Sequence, residues 1–78
     1  MTYLTRPRFD TIAFPELTTR EREVLGLIAT GLANAAIAAR LGLAPNTISN
    51  HISNIFAKLQ VASRAEAIIR ARAAGLGD

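Results

Sequence analysis

The sequence predicts an all-α fold, a four-helix domain with a central helix-turn-helix. Three observations carry this expectation. Apolar residues recur at helical spacing from Val24 to Leu59. The start signal Ser/Thr-x-x-Glu occurs at Thr18 and again at Ser63. Gly31, Gly42, Pro45 and Gly75 punctuate the intervals, and no stretch alternates as a strand would.

Residues 1–16 read as a linker ahead of a domain spanning 17–78. They hold Pro7, Pro15 and the scattered aromatics Tyr3, Phe9 and Phe14, with no sustained period. The first helix is expected from about Thr19 to Thr30. Thr18 and Glu21 form its capping box, Glu23 suits the positive end of its dipole, and Val24, Leu25, Ile28 and Leu32 share a face. Gly31 supplies a left-handed stop.

A short second helix follows, with Asn34 as its expected N-cap, Ile37, Ala38 and Leu41 facing inward, and Gly42 at its end. Pro45 takes the first position of the third helix, where a missing amide hydrogen costs little. That helix extends to about Leu59. Ser63 and Glu66 open a fourth, which ends near Gly75. Only Gly42, Leu43 and Ala44 separate the second helix from the third, the tight glycine-containing connection of a helix-turn-helix.

Composition narrows the function. A chain of 78 residues supports one domain, and one of this size buries roughly 60% of its unfolded surface. Half the residues are hydrophobic, enough for a core. Without cysteine there is neither a disulfide nor a thiolate metal site, which fits a reducing cytoplasm. No apolar run approaches the ~20 residues that span a bilayer, so no membrane association is expected, and nothing after Arg6 and Arg8 resembles a signal peptide. The net charge of +3 lies wholly in residues 17–78, because Arg6, Arg8, Asp10 and Glu16 cancel. A compact basic unit is the expected footprint of a phosphate-binding surface.

The third helix carries the chemistry. On a wheel of ~100° per residue, Ile48, Ile52, Ile55 and Leu59 form one stripe, joined by Phe56. The opposite side holds Asn46, Ser49, Asn50 and Ser53, with Thr47, Asn54 and Lys58 along a flank. Asn, Ser and Thr are mediocre helix formers because their side chains compete for the backbone. Their short hydrogen-bonding groups do allow close approach to base edges, and Asn can pair bidentately with adenine. The expected base-contacting residues are therefore Asn46, Thr47, Ser49, Asn50 and Ser53. Thr47, His51, Asn54, Lys58 and Arg64 are the expected phosphate contacts. For Arg20 and Arg22, pairing with Glu21 or Glu23, or capping a helix, is the better reading.

No enzymatic grouping is present. Ser49, Asn50 and His51 are adjacent on one helix and point in different directions, so they cannot act as nucleophile and base. A single His without Cys is a poor metal site. Neither a cofactor nor a metal is expected.

Several linked blocks carry a family resemblance. They are Leu17-Thr-Thr-Arg-Glu-Arg-Glu-Val-Leu25, Gly31-Leu-Ala-Asn34, Ile37-Ala38-x-Arg40-Leu41, Thr47-Ile48-x-x-His51-Ile52-x-Asn54-Ile55, Lys58-Leu59-x-Val61 and Arg64-x-Glu66-Ala67. Together they resemble the LuxR/FixJ-type (GerE-like) DNA-binding domain over about residues 16–76, and Phe14-Pro15-Glu16 looks like the linker that precedes such domains in response regulators. The resemblance implies sequence-specific binding of double-stranded DNA for control of transcription, with the helix at about 45–59 in the major groove. It also implies dimerisation through the fourth helix, and a receiver or ligand-binding domain elsewhere in a parent chain, with this segment as the C-terminal effector domain of a response regulator. RNA polymerase is a further partner for such a regulator.

The fourth helix has two apolar faces, Ala67, Ala71 and Ala74 on one, and Ala65, Ile69, Ala73 and Leu76 on the other. One packs inward and the other is free to form a weak homodimer; the second set are the dimerisation candidates, although the pattern does not say which face turns inward. Four positions depart from the family. Ala35 and Ala36 replace residues that are often charged, Ala44 replaces a Ser or Thr cap, Ser49 replaces a long side chain, and Gln60 stands where Gly is frequent. Two other readings fit the pattern: a sigma-factor-like promoter-reading domain, and a protein-interaction bundle whose polar face is merely solvated.

Overall fold

The computed structural model describes residues 13–77, and within them four helices occur: α1 (Thr19–Ala29), α2 (Asn34–Leu41), α3 (Pro45–Leu59) and α4 (Arg64–Ala73). Most of the linker expected over residues 1–16 lies outside the described residues. Its last part does not: Phe14 is half-buried against the core, and its carbonyl accepts a hydrogen bond from Arg22 Nη1 at 3.2 Å.

The starts follow local chemistry. At α1 the capping box is complete, with Glu21 N donating to Thr18 Oγ1 at 3.0 Å and Thr18 N donating to Glu21 Oε1 at 2.9 Å. At α4 Ser63 Oγ accepts from Glu66 N, but Glu66 Oε1 reaches Ala62 N rather than the cap residue's own amide. Asn34 does not cap α2. Ala33 holds the extended cap conformation without a side-chain bond, and Asn34 is already the first helical residue, its side-chain oxygen accepting from Arg64 rather than from the first-turn amides.

All four helices end the same way. The hydrogen bonds Leu32 N to Leu27 O, Leu43 N to Ala38 O, Val61 N to Phe56 O and Leu76 N to Ala71 O each close a Schellman motif. The residue before each donor has positive φ: Gly31, Gly42, Gln60 and Gly75. The donor itself is apolar and folds back onto the core. This accounts for Leu76, a dimerisation candidate that the wheel groups on one face with Ala65, Ile69 and Ala73. It is half-buried against the core instead, because the chain reverses at Gly75 and leaves the helical wheel. On the other face Ala67 and Ala71 are buried, but Ala74, grouped with them by the wheel, is exposed as the cap residue at that reversal.

The core runs through the middle of the four helices. Val24, Leu25 and Ile28 of α1, Ile37 of α2, Ile48 and Ile55 of α3, and Ala67 and Ala71 of α4 are all fully buried. Helix α1 touches each of the others, α2 packs on α3, and α4 closes over α1 and α3. The small Ala67 and Ala71 let α4 approach closely, and arginines then fasten it. Arg70 Nη1 donates to Leu59 O at 2.7 Å, at the end of α3, and Arg72 Nε donates to Ala29 O at 2.9 Å, at the end of α1. Cations at helix C-termini meet both unpaired carbonyls and the negative end of the dipole.

Candidate nucleic-acid interface

Helix α3 sits in the fold as its pattern demands. Ile48, Ile55 and Leu59 are buried with Ile52, while Asn46, Ser49, Asn50, Ser53 and Asn54 are exposed. Thr47 and His51 lie half-buried at the margins. None of these polar side chains is hydrogen-bonded to another described residue. The result is a continuous, unengaged surface of amides and hydroxyls three turns long. It starts at Pro45 and faces away from the other helices.

What holds α3 in place was not visible in the pattern. Its N-cap, Ala44, makes no side-chain bond, and its C-terminal turn closes on Gln60 at φ 57°, ψ 43°. Anchors from other helices compensate. Lys58 Nζ lies 2.8 Å from Glu21 Oε1 of α1, and Glu21 is only 4% exposed. The Lys58 ammonium and the Thr18 amide hold the Glu21 carboxyl below its ordinary value of 4.5, against the opposing effect of burial. Arg70 adds its bond to Leu59 O.

Of the residues expected to meet phosphates, Thr47, His51 and Asn54 flank the free face. Lys58 and Arg64 have partners within the domain. Lys58 spends one of three ammonium donors on Glu21 and keeps a side chain 38% exposed. Arg64 is half-buried, with Nη1 2.6 Å from Asn34 Oδ1 and Nη2 2.8 Å from Leu32 O. Arg20 pairs with Glu23 at 3.4 Å, but Arg22 bonds the Phe14 and Leu17 carbonyls rather than a carboxylate. Arg40, near the end of α2, is exposed and has no partner among the described residues. The scaffolding roles of Arg22, Arg70 and Arg72 escaped the sequence reading, since an arginine reaching a carbonyl 43 residues away leaves no local pattern. Among the described residues no group of His, Cys, Asp or Glu is placed to hold a metal ion.

Comparison with known proteins places this arrangement in a family. The family described as "Bacterial regulatory proteins, luxR family" matches residues 15–71. The HTH-type transcriptional regulator MalT of Vibrio campbellii is 51% identical over 55 residues, 70% of this chain and 6% of MalT. MalT of Serratia proteamaculans is 46% identical over 70 residues, 88% of this chain and 8% of that protein. The "Probable transcriptional regulatory protein NarL" of Mycobacterium tuberculosis is 47% identical over 57 residues, 73% of this chain and 26% of the relative. The chain thus spans only a small part of the relatives it matches. With its four helices, its central helix-turn-helix and the family match over most of its length, the chain belongs to the LuxR family of bacterial regulatory proteins and is a DNA-binding domain of transcription regulation.

Proposed function

We propose that α3 enters the major groove of duplex DNA and reads sequence there, with Asn46, Thr47, Ser49, Asn50 and Ser53 at the base edges. The observation that carries this reading is the division of α3 into a buried aliphatic stripe and an exposed face of unbonded amides and hydroxyls. A helix fits the major groove, and short polar side chains let its axis come close to the bases. Thr47, His51 and Asn54, with the two donors Lys58 has left, contact phosphates on either side, and Arg40 can meet the backbone from α2. Such contacts set register without reading sequence.

The free face of α4, Ala65, Ile69 and Ala73, forms a weak two-fold dimer on paired half-sites. Two-fold symmetry of the protein matches a palindromic operator. In a parent chain this domain is the DNA-binding output of a response regulator acting in the cytoplasm. A receiver or ligand-binding domain governs it, and RNA polymerase is its eventual partner.

Selection of bound duplexes from a random library, repeated with Asn50→Ala, tests the assignment of α3. The expected outcome is a defined consensus whose preferred base changes at one position in the variant. An identical consensus for both proteins would remove Asn50 from the reading surface. Binding that does not weaken with salt would remove the phosphate contacts altogether.

A further inference from the structure

The exposed face of α3 is polar yet carries no formal charge. From Pro45 to Ala57 the helix holds no Arg, Lys, Asp or Glu. The exposed hydrogen-bonding side chains there are amides and hydroxyls alone: Asn46, Ser49, Asn50, Ser53 and Asn54. None is bonded to another described residue, so each keeps its donors and acceptors for a partner. Lys58, the one Lys or Arg of α3, stands in its last turn with its ammonium 2.8 Å from the Glu21 carboxylate. His51 is half-buried at the margin.

That inventory discriminates among bases. In the major groove guanine shows two acceptors, N7 and O6, which Arg or Lys meets as a pair, and cytosine offers its N4 donor to a carboxylate. The exposed face of α3 has neither kind of side chain over its first three turns. Adenine instead shows an N7 acceptor beside an N6 donor, and a carboxamide matches both with its NH2 and its oxygen. Set against guanine, the same carboxamide turns its oxygen toward an acceptor and leaves it unpaired. The hydroxyls of Ser49 and Ser53 accept either kind of edge, so they do not offset this preference. Asn46 lies in the first turn of α3, the end that a helix-turn-helix sets against base edges. Asn50 follows one turn later on the same side. The rise between them is about 6 Å, more than the ~3.4 Å step of a duplex, so each meets its own base pair.

We infer that the DNA taken by α3 is a site whose contacted pairs are A·T, with Asn46 and Asn50 as the specificity-determining residues. Each carboxamide donates to N7 and accepts from N6 of one adenine. This rests on the DNA-binding reading of α3. Specificity is then a matter of neutral hydrogen bonds, and exchanging a contacted A·T pair for G·C lowers affinity roughly 5- to 150-fold. An arginine placed on the same face redirects the choice to guanine.

The test first selects duplexes from a random library with the 78-residue chain, Asn50→Ala and Asn50→Arg, with circular dichroism recording each variant's folding. The wild-type consensus is expected to be specified chiefly by A·T pairs. Asn50→Ala should lose the preference for adenine at one position, and Asn50→Arg should exchange that adenine for guanine while keeping the rest. The selected duplex is then made with 7-deazaadenine at that position, an analogue that still pairs with thymine but lacks the N7 acceptor. It is expected to weaken wild-type binding about tenfold and Asn50→Ala no further, because that variant has already lost the bond. A consensus specified by G·C pairs would overturn the proposal. So would an A·T consensus indifferent to the analogue at every adenine, since duplex shape rather than these amides would then set the preference. A wild-type domain that binds duplex without any consensus would remove the base assignment alone, whereas one that binds no duplex would remove the DNA reading with it.

Discussion

Lys58 Nζ and Glu21 Oε1 meet at 2.8 Å across 37 residues of sequence, tying the last turn of α3 to the first turn of α1. The pair is asymmetric, because the carboxylate is buried and the ammonium is partly in water. Losing the ammonium leaves a buried charge with only Thr18 for support, whereas neutralising the acid leaves an exposed lysine at little cost. Lys58→Met is therefore expected to destabilise the domain by about 1–3 kcal/mol, and Glu21→Gln by less. Urea unfolding followed by circular dichroism measures both. Equal losses would mean that burial of Glu21 is not what sets the cost.

The same pair dictates a pH dependence. The folded state holds the Glu21 carboxyl below 4.5, chiefly through the Lys58 hydrogen bond. A group with a depressed folded pKa contributes its stability in full above the unfolded value, and loses it as pH falls from there through the folded value. The melting temperature is thus expected to fall as the medium is acidified below 4.5. Glu21→Gln should show a shallower fall in that window. Parallel curves for the two proteins would assign acid sensitivity to other carboxyls.

Both ends of α3 leave room for stabilisation. Ala44 holds the cap conformation at φ −70°, ψ 148° without a side-chain acceptor, so Ala44→Ser is expected to add about 1 kcal/mol. Gln60 is the one non-glycine among the four left-handed helix terminators, and Gln60→Gly is expected to add roughly 1 kcal/mol by relieving its Cβ. The sites lie at opposite ends of the helix, so the two gains should add. A shift in denaturation midpoint without a change in slope would check them. A loss at Gln60→Gly would show that the glutamine side chain stabilises that turn.

Ile69 is 67% exposed and is the one large hydrophobic residue in that position among those described. Ile69→Glu is expected to leave stability within about 0.5 kcal/mol, as an exposed helical substitution should. It would also place two like charges across the proposed two-fold contact. Sedimentation with a duplex bearing two half-sites should then show two wild-type chains bound cooperatively and the variant bound without cooperativity. Identical isotherms would remove α4 from any dimer contact.

Much of this molecule was legible in its linear pattern. Signals confined to a few neighbouring residues placed the helices: the capping pairs at Thr18 and Ser63, Pro45 at a first turn, and glycine stops at Gly31, Gly42 and Gly75. The division of α3 was equally readable, because a 3.6-residue period maps sequence directly onto faces. Two expectations were displaced, at the start of α2 and past the end of α4. Asn34 was expected to cap α2, but Ala33 takes the cap conformation and the Asn34 oxygen meets Arg64 instead; Leu76 was grouped on a helical face that the reversal at Gly75 ends one turn earlier.

The chain by itself therefore determined which segments coil, where they stop and which side of α3 is apolar, since propensity, capping and amphipathic period act within a turn or two. Only the tertiary structure decided how the charges are used. Lys58 leans on Glu21, Arg64 on Asn34 and Leu32, Arg70 on Leu59, and Arg72 on Ala29. The reason is physical: a long cationic side chain takes whichever acceptor packing brings within about 3 Å, and that acceptor lies far along the chain.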